Sequence, residues 1–314
     1  MALTWDQVGA TTQEILNESA ADNIFASNPY AFHMLEKGKI VEEGGDFIKL
    51  PIEYAVISAA GNYNNYSLLD TNPNDTLTAA RGDWRNYYVN VVISETELLR
   101  NSGKYAAVNL IKAKAQGAMK KLKDNLGTDL FSTNADSADG VHGLRALVEA
   151  TGTSCNIAQS DFSGWASQED NATSALSLSK MNALFLNCMQ GDEGPDIIVT
   201  TKGVFGKYWS LLQAEQRFSE AKVGKGGFRY LMFNDVPIFN DSHVSGSGSG
   251  TADNHMFMLN SKWLYLYVNS KNNMKLTDIG PIASQAVYVQ RLSLSCQQLT
   301  DNRRVHGKFT VLKH

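Results

Sequence analysis

Residues Gly44–Asp70 read GGDFIKLPIEYAVISAAGNYNNYSLLD, and the long excursion that they open decides the fold. In FIKLPIEYAV, Ile48, Leu50, Ile52, Tyr54 and Val56 alternate with Lys49, Pro51, Glu53 and Ala55, the period of a half-buried strand. Pro51 has no N–H to give a ladder, so this strand belongs at an edge. A run rich in Asn, Tyr, Gly and Ser then continues through Pro73 to Gly82, and a second strand-like run, WRNYYVNVVI, starts only at Trp84. There Tyr87, Val89, Val91 and Ile93 alternate with Asn86, Tyr88, Asn90 and Val92. Most connections in a compact domain take a handful of residues, and this one takes about 25. The pattern predicts a long antiparallel ribbon, 48–56 against 84–93, with an oversized polar tip.

The ribbon is followed by a spine. Ser94 and Glu97 in SETE have capping-box spacing and open a helix over ETELLRN, which Asn101-Ser102-Gly103 interrupts. Then Val108, Ile111, Ala115, Met119, Leu122 and Leu126 recur every three or four residues, with Lys112, Lys114, Lys120, Lys121 and Lys123 on the wet side. Gly127 is the expected C-cap. Such a helix spans about 35 Å at 1.5 Å per residue.

Before the ribbon, Trp5, Val8 and Ile15 with Thr4 and Gln7 predict a short helix over 4–20. Asn28 and Pro29 predict a second helix, which Gly38 ends. Both are too small to bury much alone. After the spine, helical and strand patterns alternate. GLRALVEA fits either a short helix or a strand, Ala172 to Met189 reads as a helix, PDIIVT as a buried strand and KGVFGKYWSLLQAEQRF as a helix. FRYLMFNDVPIFND, HMFMLNSKWLYLYV, AVYVQRLSLSC and GKFTVL are strand-rich. The expected class is α+β. SGSGSG, Ser245 to Gly250, reads as the tip of one hairpin joining VPIFND to MFMLN rather than as a domain boundary.

Composition excludes several roles. With 314 residues, 43% hydrophobic and 19% charged, the chain carries a real core. Lys+Arg 28 against Asp+Glu 32 gives a net charge of -4, so there is no basic footprint for sequence-specific nucleic-acid binding. No stretch approaches the ~20 apolar residues of a membrane helix, and MALTWDQ is not a signal peptide, so a soluble, cytoplasmically made protein is expected. Cys155, Cys188 and Cys296 lack metal-ligand spacing and read as isolated thiols.

Catalytic signatures are absent. IIVTTKGVFGKYW has Thr201 where a phosphate loop needs its first Gly, and Tyr208 where it needs Ser or Thr. Asp241-Ser-His243 and Asp253-Asn-His255 bracket SGSGSG, and a hairpin base would bring two carboxylates and two imidazoles together. These polar loop-edge residues need no metal, so neither a metal nor a cofactor is expected. A cytoplasmic metal-dependent enzyme using Asp241, His243, Asp253 and His255 is the rival that the cluster defines. His142, His306 and His314 read as isolated turn or tail residues.

The order of these elements resembles the major capsid proteins of tailed bacteriophages, which share the Johnson fold. The likeness rests on GGDFIKLPIEY, the Tyr-Leu-Leu-Asp tip, ISETELLRN-S-G, the long amphipathic helix, GLRALV, PDIIVTTKGVFGKYWSLLQAEQRF and the closing LTDNRRVHGKF. It covers nearly the whole chain through soft motifs. It implies an N-terminal arm at 1–43 and an extended β-hairpin loop at 44–94. A peripheral domain would comprise 95–139 and 282–314, and an axial domain 140–281. The implied function is self-assembly into hexamers and pentamers of an icosahedral head. The implied partners are a separate scaffolding protein, since the chain has no room for a fused one, a portal protein, and packaged DNA in non-specific contact, with decoration proteins left open and no membrane. The product would sit in the virion after synthesis in the host cytoplasm. An encapsulin-like cellular shell is the alternative on the same fold. Tyr63, Tyr66, Leu68, Leu69 and Trp84 have the amphipathic character of interface anchors, and are the expected inter-subunit contacts.

Overall fold

The computed structural model describes residues 28–53, 61–65, 68, 76–100, 106–136, 138–171, 174–214, 222–223, 229–244, 254–277, 280–282 and 285–313. The helix expected over 4–20 lies outside them. A helix over Pro29–Glu36 starts where Asn28 accepts the N–H groups of Tyr30 and Ala31, and Gly38 leaves it at φ +65. β1 (Ile40–Glu43), β2 (Phe47–Glu53), β3 (Leu77–Asp83) and β4 (Arg85–Ser94) follow. A helix over Glu95–Arg100 carries the expected cap, with Ser94 N–H bonded to Glu97 Oε2 and Thr96 N–H to Ser94 Oγ. The long helix then runs Ala106–Leu130 and buries Ala115, Ala118, Leu122, Leu126 and Leu130.

A single turn at Leu144–Leu147 precedes β5 (Thr153–Ser154), β6 (Ile157–Ala158), β7 (Gln168–Asp170) and β8 (Ser174–Ala175). A helix over Leu178–Cys188 leads to β9 (Ile197–Thr200), and a helix over Lys202–Ala214 to β10 (Lys222–Val223), β11 (Arg229–Phe233) and β12 (Val236–Asn240). The chain closes with β13 (Asn254–Leu259), β14 (Leu264–Asn269), β15 (Lys275–Leu276), β16 (Gly280–Ile282), β17 (Gln285–Thr300) and β18 (Gly307–Lys313). The helix expected from Ala172 therefore begins at Leu178, where Ser177 caps it by accepting the Lys180 N–H; the residues before it add short strands to a sheet edge.

Two sheets organise the molecule. One has six strands in the order β1-β14-β17-β15, with β16 and β4 also on β17. The other has eight, in the order β10-β11-β12-β9-β13-β18-β7, with β8 on β18. The C-terminal third serves both: β14 and β17 join β4 in the first sheet, and β18 returns to the second. β9 is buried at all four residues because helices 178–188 and 202–214 cover one face and the main core the other. The end of the long helix joins that main core, where Phe131 packs against Phe257 at 6.0 Å between centroids. One core thus serves both sheets.

Three local expectations are overturned. β2 pairs with β3, from Phe47↔Asp83 to Glu53↔Leu77, and not with 84–93. β4 instead pairs with β17 over ten positions, from Val287↔Ser94 to Cys296↔Arg85, and its Val91 and Ile93 row packs on Ala118 of the long helix. β12 and β13 are not a hairpin either, since β9 lies between them, parallel to β12 and antiparallel to β13. Gly127 is no C-cap: the helix continues to Leu130, and the missing Cβ makes room for the His243 ring.

Gly82 in β3 shows how closely the ribbon sits on the body. A Cβ there would lie 2.7 Å from Leu299 Cδ2 and 3.1 Å from Gln297 Cγ, and Leu299 is fully buried. Gly82→Val is expected to cost about 1–3 kcal/mol by overpacking, read as a lower denaturation midpoint. An unchanged midpoint would show that the ribbon root is loosely seated.

Candidate assembly surfaces

The ribbon β2–β3 has one apolar and one wet face. Ile48, Ile52 and Ala80 are buried in the main core, while Lys49, Pro51, Glu53, Ala79 and Arg81 face outward. Its root is held by one hydrogen bond across the ribbon's own ends and by two to the body. Trp84 Nε1 donates to Gly45 O at 2.9 Å, Arg81 N to Cys155 O at 3.0 Å, and Gln297 Nε2 to Asp83 O at 3.0 Å. Trp84 is therefore at the root, partly buried against the core, and not at the tip. Beyond the root, a hollow of about 590 Å³ opens between Ile52 and Thr78 of the ribbon and the rings of Phe162, Trp165 and Trp263.

Towards the tip the chain displays apolar side chains to solvent. Leu77 is 65% exposed, Tyr63 72% and Leu68 fully. Tyr66 and Leu69 lie outside the described residues.

A second apolar row lies on the six-stranded sheet. Val89, Val91 and Ile93 face the long helix, so Tyr88, Asn90 and Val92 point the other way, where Tyr88 is 65% exposed and Val92 46%. Across the register they stand beside Ser293, Arg291 and Val289. Arg291 lies over the Tyr88 ring at 5.7 Å and donates from Nε to Asn90 Oδ1 at 3.2 Å. The alternation in the sequence assigns Tyr88 and Val92 to the wet side of the strand. An aromatic and a β-branched residue in that wet row are what mark this face as apolar in the sequence.

Of the metal candidate's described residues, Asp241 and His243 are in contact and His255 stands apart from them. β9 separates the strand that ends before Asp241 from the strand that holds His255, and Asp253 lies outside the described residues. His255 is buried and stacked on Phe257, whereas His243 faces Asp124 of the long helix and Asp241. Among the described residues no group of three or more His, Cys, Asp or Glu has metal-site geometry.

Other reactive groups are locked away. Cys155 lies 4.0 Å from His142 Nδ1, but burial pushes its thiol up to about 11, and Cys188 goes up to about 12. His142 and His306, expected in turns, are buried; burial pushes them down to about 4 and about 3. His306 stays neutral because Nδ1 accepts the Asn260 N–H and Nε2 faces Thr300 Oγ1. No helix of the described residues is long and apolar enough to cross a membrane.

No protein-family model matches the chain, and no curated protein matches its sequence. Solved structures do. The capsid asymmetric unit of Cyanophage A-1(L) aligns with a TM-score of 0.62 at 14% identity, covering 88% of this chain and 91% of that one. The holo-SrpI encapsulin complex from Synechococcus elongatus aligns at 0.61 with 10% identity, covering 89% and 87%. The procapsid of satellite phage P4, which includes a size determination (Sid) protein, aligns at 0.54 with 10% identity over 94% and 90%. The chain has the Johnson fold over nearly its whole length.

Proposed function

We propose that this chain is the major capsid protein of a tailed double-stranded DNA phage, and that hexamers and pentamers of it build the icosahedral head. On a fold shared with capsid subunits, the observation that carries the reading is the pair of unlike exposed apolar surfaces, Tyr63, Leu68 and Leu77 on the ribbon and Tyr88 and Val92 on the sheet. Two different patches that meet give a head-to-tail contact, which makes rings when its rotation closes. Each contact is modest, and repetition around a ring multiplies it. In this reading residues 1–43 are the arm and 44–94 the extended loop, whose ribbon reaches a neighbour while its return strand β4 is anchored on β17, with Tyr66 and Leu69 adding to its contact and Trp84 holding its root. The peripheral domain (95–139 and 282–314) and the axial domain (140–281) form the body. A separate scaffolding protein and a portal are the expected partners. DNA touches the inner wall without sequence preference.

The encapsulin-like reading has one observation in its favour: the cyanobacterial encapsulin aligns nearly as well as the cyanophage capsid, 0.61 against 0.62. Particle contents separate the two, packaged DNA for the head and a cargo enzyme for the compartment. An enzyme built on Asp241, His243, Asp253 and His255 has no support in the geometry.

The sheet face gives a direct test. Tyr88 and Val92 are exposed, so Tyr88→Lys with Val92→Lys should change subunit stability by no more than about 0.5 kcal/mol each. The double variant is expected to sediment as free subunits under conditions in which the parent makes large particles. Normal particles from it would remove this face from the interface.

A further inference from the structure

His243 stands between two carboxylates from different parts of the fold. Its Nδ1 is 2.9 Å from Asp241 Oδ1 and its Nε2 is 3.3 Å from Asp124 Oδ1. Asp241 follows β12, where its N–H donates to Thr200 O and its Oδ1 also accepts the His243 N–H at 2.9 Å. Asp124 is on the exposed side of the long helix, with Lys121 Nζ 3.9 Å away. Gly127 lies beneath the ring: a Cβ there would come within 2.9 Å of Cδ2 and Nε2. A glycine inside a helix costs about 1 kcal/mol relative to alanine, and here it admits the imidazole.

Donor arithmetic gives this arrangement a preferred charge state. A neutral imidazole has one N–H, so it satisfies one carboxylate and turns a lone pair towards the other; the imidazolium donates to both. Asp241 is 3% exposed, and its Oδ2 has no hydrogen-bond partner among the described residues. A buried carboxylate needs a cation in contact, and the charged His243 ring supplies it.

We propose that His243 is a protonation-dependent clamp tying the C-terminal half of the long helix to the eight-stranded sheet, closed when the imidazole is charged and loosened when it is neutral. Among the described residues, the charged and titratable groups that face the ring are Asp241 on its own turn, and Asp124 with Lys121 behind it on the helix. Asp241 first, then Asp124, holds the ring above its ordinary 6.5 against the opposing effect of burial. Because the folded value is the higher one, the clamp's stabilisation is fully present below 6.5 and disappears as pH rises through the raised value. The place matters, because the helix end and the eight-stranded sheet share the core that links both sheets.

Histidine Cε1 resonances of the unassembled full chain, followed by NMR across the pH range, test the clamp. His243 is expected to titrate above 6.5, and Asp124→Asn, an exposed substitution that leaves the core intact, should lower its midpoint. Hydrogen-exchange protection over residues 120–130 should fall in the parent as pH rises from below 6.5 through the raised value. In Asp124→Asn that fall should be smaller. Asp301, which burial pushes from 3.8 up to about 6, loses its own contribution as pH rises through about 6, below this range and in both proteins, so the difference between them is the readout. A His243 midpoint at or below 6.5, a midpoint unmoved by Asp124→Asn, or identical exchange profiles would each overturn the clamp.

Discussion

Arg303→Met is expected to destabilise the subunit more than any surface substitution, by about 4 kcal/mol or more, because several buried acceptors lose their donors at about 1–3 kcal/mol each. The guanidinium is 1% exposed and donates to four main-chain carbonyls, Leu147 at 2.8 Å, Glu149 at 2.8 Å, Trp165 at 3.2 Å and Ala146 at 3.3 Å. It sits in the turn between β17 and β18, where the chain passes from the six-stranded sheet to the eight-stranded one. Burial pushes the guanidinium down, while Glu149, Asp136 and Glu169 favour its charge. Lysine has no planar fork and replaces only part of the set, so Arg303→Lys should recover only part of the loss. Urea denaturation with a midpoint equal to the parent's would show that the carbonyls find other donors.

Truncating the ribbon tip should have the opposite profile: a normal subunit and no particles. Among the described residues the last ribbon pair is Glu53↔Leu77, so removing Asn62 to Thr76 leaves every described pair and the core residue Ala80 in place. Thermal stability should therefore hardly change. The cut removes Tyr63 and Leu68, and burying one such side chain is worth about 1.5–3 kcal/mol. Losing two from every contact weakens each by roughly a hundredfold or more, and a shell multiplies that loss over its copies. Particles of normal size from the truncated chain would disprove the ribbon's role in assembly.

Local elements are readable because local rules write them. The Asn28 cap, the Ser94–Glu97 box, the stripe from Ala115 to Leu126 and the helix after Thr201 all appear where spacing puts them. Val204 N–H bonded to Thr201 Oγ1 is a plain cap, at the position where a phosphate loop would need glycine. Pairing is not readable, because distant strands decide it. β17 captures β4, leaving β2 to the shorter TAARGD side of the loop, and β9 enters between β12 and β13 and dissolves the expected hairpin. The metal candidate presupposes that hairpin; without it His255 stands apart from Asp241 and His243, and Asp253 lies outside the described residues.

Single residues with two local meanings are also out of reach. Gly127 near a helix end fits a cap as well as a close approach, and only the His243 ring distinguishes them. In the Arg303-Arg304 pair one side chain is buried and the other exposed, and a short turn gives no period that tells which. Tyr63 and Leu68 stand exposed, while Trp84 belongs to the ribbon root.

Electron microscopy of the purified full-length chain, alone and with a candidate scaffolding protein, tests shell building most directly. Closed icosahedral particles with five-fold and six-fold capsomers are the predicted result. A monodisperse monomer or dimer under both conditions would contradict it.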